Sequence, residues 1–106
     1  MMAATILCLV ANVPDGTTIV CGDKTHIRIA GLEVGDLVPK KARDILAVRT
    51  VGQKLSCLPA GNEGAFIVAK CTLPDRGDLA CTLIRSKAAM RSDVAWQRYG
   101  LEECEW

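Results

Sequence analysis

Three short apolar runs, rich in β-branched residues and separated by turn signals, fill the first third of this chain and commit it to a β-rich start. Residues 5–13 form the first run. Pro14-Asp15-Gly16 then supplies a tight turn in which the glycine is free to take positive φ, and residues 17–21 return as the second strand of a hairpin. Gly22-Asp23 turns the chain again. Over residues 25–31 the pattern alternates, with Ile27 and Ile29 on one face and His26, Arg28 and Ala30 on the other, which predicts a third, half-buried strand.

The period then changes. Glu33 to Val38 reads as a loop, Pro39 suits a first helical turn, and Ala42, Ile45 and Leu46 recur at helical spacing. Gly52 stands where a C-cap belongs, so a helix is expected over about residues 39–50. A short strand at 54–58, a loop at 59–64 and a stronger strand at 66–73 follow, the last with Ile67, Ala69, Cys71 and Leu73 on its core side. Asp78 is placed to cap a second helix whose stripe of Leu79, Ala80, Leu83, Ile84 and Ala88 extends to Met90. The remainder reads as irregular or weakly helical. Three strands, a helix, two strands and a helix is the order of a five-stranded oligonucleotide-binding (OB) barrel, mainly β with helices, in one domain over residues 1–106.

Composition narrows the function classes. Half of the 106 residues are apolar, enough for a single core. Thirteen Lys and Arg against twelve Asp and Glu leave a net charge of +1, which gives no support to a broad basic face for nucleic acid. The four aromatics, Phe66, Trp96, Tyr99 and Trp106, are too few for a base-stacking platform; Trp96 and Tyr99 are expected to fasten the C-terminal segment to the barrel. No apolar run approaches the roughly 18 to 20 residues of a spanning helix, so no membrane partner is expected. The opening MMAATILCLVANV has no Lys or Arg before its short apolar stretch and reads as a first strand, not a signal peptide, which favours the cytoplasm.

Cysteines 8, 21, 57, 71, 81 and 104 include no C-x-x-C pair, and His26 has no Cys or His beside it, so zinc is not expected. Cys8, Cys21, Cys71 and Cys81 lie among apolar neighbours, where a free thiol behaves as a small core hydrophobe. Core thiols are therefore the expected state of most of the six. A disulfide framework is the alternative, with Cys57 and Cys71 the first pair to join.

Four segments resemble the staphylococcal-nuclease-like family. Val13-Pro-Asp-Gly-Thr-Thr-Ile19 is similar to V-x-D-G-D-T plus an aliphatic residue, and Ile27-Arg-Ile-Ala-Gly-Leu-Glu33 to I-R-L-x-G-(I/V)-D. Val68-Ala-Lys-Cys71 is similar to V-A-x-(C/V), and Asp78-Leu79 with Leu83-Ile-Arg85 to D-L-x-x-x-L-V-(R/K). They occur in the family's order over about residues 6–99. Bacterial members often carry cysteine at the positions of Cys57 and Cys71, on facing strands, as a disulfide or as paired thiols.

The resemblance implies a calcium-dependent nuclease in which two carboxylates and a backbone carbonyl hold the metal, a glutamate is the proposed general base and two arginines clamp the phosphate. Carried over position by position, the set is incomplete. The first metal carboxylate falls on Thr17, a neutral hydroxyl that offers a hard cation far less than a carboxylate. The second falls on Glu33, one methylene longer than the family's Asp, and the carbonyl donor on Val34. The general base falls on Asp36, one methylene shorter than the family's Glu, and the Pro between them is Gly35. Arg28 matches the first arginine. The second falls on Phe66, or on Ala65 if the shortened loop is aligned differently. Removing one such stabilising donor typically costs about 3 to 4 kcal/mol of barrier.

The implied function is a homologue with a degraded catalytic site that binds nucleic acid or another protein. The alternatives are a weak calcium-dependent nuclease built on Arg28, Glu33 and Asp36, and a structural subunit. Arg28, Glu33 and Asp36 are expected to converge on one small concave site. Lys40, Lys41 and Arg43 read as an exposed helix face, with anion contact beside that site as the functional alternative for Lys40 and Lys41.

Overall fold

Alternation along β1 (Ile6–Asp15) buries Cys8, Val10 and Val13 and turns Leu7 and Leu9 to solvent, so one long strand presents a single apolar face. The computed structural model describes residues 4–33, 39–74 and 77–104. After β1 come β2 (Thr18–Cys21), β3 (His26–Ile29), the short β4 (Leu32–Glu33), α1 (Pro39–Thr50), β5 (Lys54–Glu63) and β6 (Phe66–Leu73). The order then runs β7 (Gly77–Asp78), α2 (Leu79–Arg85), β8 (Met90–Arg91) and α3 (Asp93–Arg98).

β1 serves two neighbours. Ile6 to Leu9 pair antiparallel with Cys57 to Lys54 of β5, and Val10 to Asp15 pair with β2 through two register shifts. Such bulges bend a strand and raise its local twist, which lets one strand pass from one side of a barrel to the other. β2 pairs antiparallel with β3, β3 pairs parallel with β6, and β6 pairs antiparallel with β5. The ring β1-β2-β3-β6-β5 thus closes on itself, as a five-stranded OB-fold-like barrel with α1 between its third and fourth strands. Ile19, Ile27, Leu55, Ala69 and Cys71 fill it, and Leu46 of α1 with Leu79 and Leu83 of α2 join the same buried cluster.

Local signals explain the helix ends. Gly52 has a φ of 83° just beyond α1, as its C-cap placement requires. Asp78 accepts the Cys81 N–H at 2.9 Å and caps α2. Gly16 is required for a different reason from the one expected, since it is not in the left-handed region: a Cβ there would lie 2.8 Å from Ala42 Cβ, so the glycine lets α1 rest on the β1–β2 turn.

The cysteines correct the expectation of core thiols. All six are bonded, as Cys8–Cys21, Cys57–Cys71 and Cys81–Cys104. Apolar surroundings do not separate a buried thiol from a buried disulfide; strand register does. Cys57 faces Cys71 directly across β5 and β6, and Cys8 lies beside the β1–β2 pair that begins at Val10 and Cys21.

Two further differences concern extents. β5 continues through the expected 59–64 loop to Glu63, because it passes beyond β1 there and Pro59 has no ladder bond to lose on that side. α2 ends at Arg85 and not near Met90: Lys87 turns with a φ of 62°, and Met90-Arg91 pair with Leu32-Glu33. Ala88 is buried, as the apolar stripe implied, and so is Ala89, but on a turn and not on a helix. Beyond β8, Ser92 caps α3 by accepting the Ala95 N–H. Trp96 then packs so tightly on Gly31, whose φ is 90°, that a Cβ there would meet its ring at 2.7 Å. Arg91 lies 4.4 Å over the Trp96 ring and pairs with Asp93 and Glu103, and Cys104 ties the segment back to α2.

Candidate functional site

Strand pairing places Arg28 at the centre of one side of the barrel, between Thr18 of β2 and Val68 of β6. Its guanidinium has contacts on two sides, although its buried Nε has no hydrogen-bond partner among the described residues. Arg28 Nη1 lies 3.5 Å from Glu63 Oε2, and the guanidinium carbon is 5.0 Å from the centre of the Phe66 ring. The other Glu63 oxygen accepts from the Tyr99 hydroxyl at 3.2 Å. Tyr99 in turn lies against Gly61, where a Cβ would approach its ring to 2.8 Å. The acid that holds Arg28 is therefore Glu63, brought by β5, and not Glu33.

Two adjoining clefts, of about 330 and 260 Å³, meet at Thr17, Arg28 and Glu33. Three positions named by the resemblance therefore share one concave surface. Val34 and Asp36 lie outside the described residues. Phe66 lies beside Arg28 and meets His26 edge-on at 5.7 Å, so one of the two positions to which the resemblance would assign the second arginine holds an apolar ring against Arg28. Lys40 and Lys41 line neither cleft. Lys40 donates to Asp44 at 3.2 Å on the surface of α1.

Thr17 is turned away from any metal role. Its N–H and its hydroxyl both donate to Asp15 Oδ1, at 2.8 and 3.0 Å, which closes the turn. Burial pushes the Asp15 carboxyl up, but the two Thr17 donors and the nearby Arg28 charge outweigh it and hold the carboxyl below its ordinary value. A calcium shell needs six to eight oxygens. Among the described residues no three Asp, Glu, His or Cys side chains converge as a metal site. The described part of the implied calcium site, Thr17 and Glu33, does not fit the ion.

The charge balance is also unlike a phosphate clamp. The described lining of the two clefts holds two cations, Arg28 and Arg98, against three carboxylates, Asp15, Glu33 and Glu63. Sequence reasoning missed Glu63, Arg98 and the part played by Tyr99. Glu63 pairs across the ladder with Phe66, and the register shift between Pro59 and Gly61 breaks the strand parity of 54–58 that would otherwise be followed to it. Nothing in the α3 sequence alone points to the barrel side on which Arg98 and Tyr99 lie.

A pH effect follows from Asp15. Its folded value lies below its unfolded one, so its contribution to stability is full above the unfolded value near pH 4 and is lost as pH falls through the lower folded value. Asp15→Asn should flatten the acid limb of urea midpoint against pH, leaving the midpoint less dependent on pH below about 4 than in the unsubstituted protein. Parallel acid limbs for the two proteins would show that the turn carboxylate is not the group responsible.

Comparison with known proteins adds no family to this picture: no family model matches the chain, and no curated protein shows significant similarity to it.

Proposed function

We propose that this chain is a staphylococcal-nuclease-like barrel whose catalytic site has been dismantled and which serves as a binding module, with protein favoured over nucleic acid as the partner. One observation carries the reading: Arg28, the arginine that the motif preserves, is held by Glu63 and stacked on Phe66, which occupies one of the two positions for the second arginine. A phosphate entering this site has to displace a carboxylate from Arg28 and meet Glu33 and Asp15 as well. Exposed ion pairs are individually weak, so the excess of acids in the clefts matters more than the single Arg28–Glu63 contact. The alternative of a weak calcium-dependent nuclease keeps only Arg28, Glu33 and Asp36 of the implied machinery.

Three disulfides favour an oxidising compartment over the cytoplasm expected from the N-terminal sequence. No helix among the described residues is long and apolar enough to cross a membrane.

The test combines a binding and a cleavage measurement on the disulfide-bonded protein. Calcium with a nucleoside bisphosphate should leave the amide resonances of Arg28, Glu33 and their neighbours essentially unmoved, and single-stranded DNA should remain intact at neutral pH. Cleavage at about 1 s⁻¹ or faster, the range of ordinary enzymes, would refute the loss of catalysis.

A further inference from the structure

A second concavity lies away from Arg28 and shares no lining residue with its clefts. It is a groove of about 630 Å³ between the outer face of α1 and the end of β6. Its apolar surface comes from Ile45, Val48, Leu73 and Pro74. Val48 is 86% exposed, a poor use of a valine on a helix in water, while Ile45 and Leu73 line the groove from the edge of the core. Lys41 and Arg49 flank this surface, and neither makes an ion pair among the described residues. Asp44, also on the groove, is compensated by Lys40 and Arg43 at 3.2 and 3.0 Å. Lys40, Lys41, Arg43 and Arg49 against Asp44 give α1 a formal charge of +3, while the whole chain carries only +1. Positive charge is thus concentrated on the one helix that borders the groove.

We infer that the α1 groove is a docking site for an acidic, apolar segment of a partner protein, with Ile45, Val48, Leu73 and Pro74 receiving an apolar side chain and Lys41 and Arg49 each engaging a carboxylate. The inference rests on the binding-module reading and names the chemistry of its partner. Spacing makes it specific. Lys41 and Arg49 are eight residues apart, about 12 Å along a helix. Four residues of an extended chain cover about 13 Å, and residues i, i+2 and i+4 of such a chain face one way. The fitting motif is therefore an acid, any residue, an aliphatic residue, any residue and a second acid. Nucleic acid fits less well. A phosphate backbone would be drawn to the cations, but the groove offers no aromatic ring for a base to stack on, and Phe66, Trp96 and Tyr99 all belong to other parts of the structure.

The experiment is a random-peptide display selection on the disulfide-bonded protein, followed by titration of the best-enriched peptide. Enriched sequences should carry acids on both sides of an aliphatic residue. The double variant Lys41→Glu/Arg49→Glu should weaken binding roughly tenfold or more, through two lost attractions and two new repulsions. Val48→Lys should weaken binding of the same peptide. All three positions lie at the surface, and unchanged thermal unfolding would verify that the variants fold. Absence of enrichment, enrichment of basic or neutral sequences, indifference to both variants, or displacement of the peptide by single-stranded oligonucleotide would overturn the proposal. Such a failure leaves the cleavage measurement unaffected, whereas cleavage by the unsubstituted protein would defeat the functional reading without touching the groove.

Discussion

Reduction of the three disulfides should unfold this protein at room temperature. The bonds close intervals of 13, 14 and 23 residues, and loops of this size each restrict the unfolded chain by about 3 kcal/mol in the chain-entropy account. Three such terms, about 9 kcal/mol together, are as large as the entire stability of an ordinary domain, about 5 to 15 kcal/mol. The far-UV circular dichroism of the dithiothreitol-treated chain should accordingly collapse at urea concentrations that leave the oxidised protein native. The bonds are not equivalent in consequence. Cys57–Cys71 joins directly paired core strands, so Cys57→Ala/Cys71→Ala should cost about 2 to 5 kcal/mol and act on the whole barrel. Cys81–Cys104 ties the segment that carries Trp96 and Tyr99, and its removal should first release Tyr99 from Glu63. A reduced chain with an unchanged urea midpoint would mean that the barrel core alone suffices and that the bonds only decorate it.

The barrel was legible in the sequence because its determinants are local. β-branched runs, Gly22-Asp23, Gly52 and the Asp78 cap each act within a few residues, and strand parity put Ile27, Ile29, Cys57, Ala69 and Cys71 on the faces they occupy. The Cys57–Cys71 pair was legible from strand parity, but the bonded state of all six cysteines was not, because a thiol and a disulfide have the same apolar neighbours and only the tertiary register brings Cys8 to Cys21. The same holds for the site. Arg28 and Glu33 were named from motif positions and border one cleft, while Asp36, expected with them, lies outside the described residues. Glu63 was hidden because Pro59 and Gly61 interrupt the alternation of β5, while the ladder absorbs the interruption in a register shift between them. Tyr99 reaches Glu63 through the path of the C-terminal segment, which is fixed by contacts with Gly31, Gly61 and Cys81 distant in sequence.

Because Glu63 holds Arg28, placing nuclease-like residues at the four positions that the resemblance singles out should be insufficient for fast cleavage, and a fifth change should be needed. Thr17→Asp, Glu33→Asp, Asp36→Glu and Phe66→Arg return the charges that the resemblance implies for metal, general base and phosphate clamp. The introduced guanidinium would stand beside Arg28, where the Phe66 ring now lies 5.0 Å from it, and Glu63 would be free to neutralise either. Adding Glu63→Gln removes that competing charge while keeping an oxygen to accept from Tyr99. Each restored stabilising donor is worth about 10² to 10³ in rate when correctly aimed. Calcium-dependent cleavage of single-stranded DNA should therefore be faster in the five-substitution protein than in the four-substitution one, by about tenfold or more. The losses accompanying these changes are modest, because Phe66 is only half-buried and the barrel retains its three disulfides. Two outcomes would count against the account. If the five-substitution protein folds but neither binds a calcium–bisphosphate pair nor cleaves DNA, descent from a nuclease loses its main chemical support. If the four-substitution protein is equally fast, Glu63 does not govern Arg28.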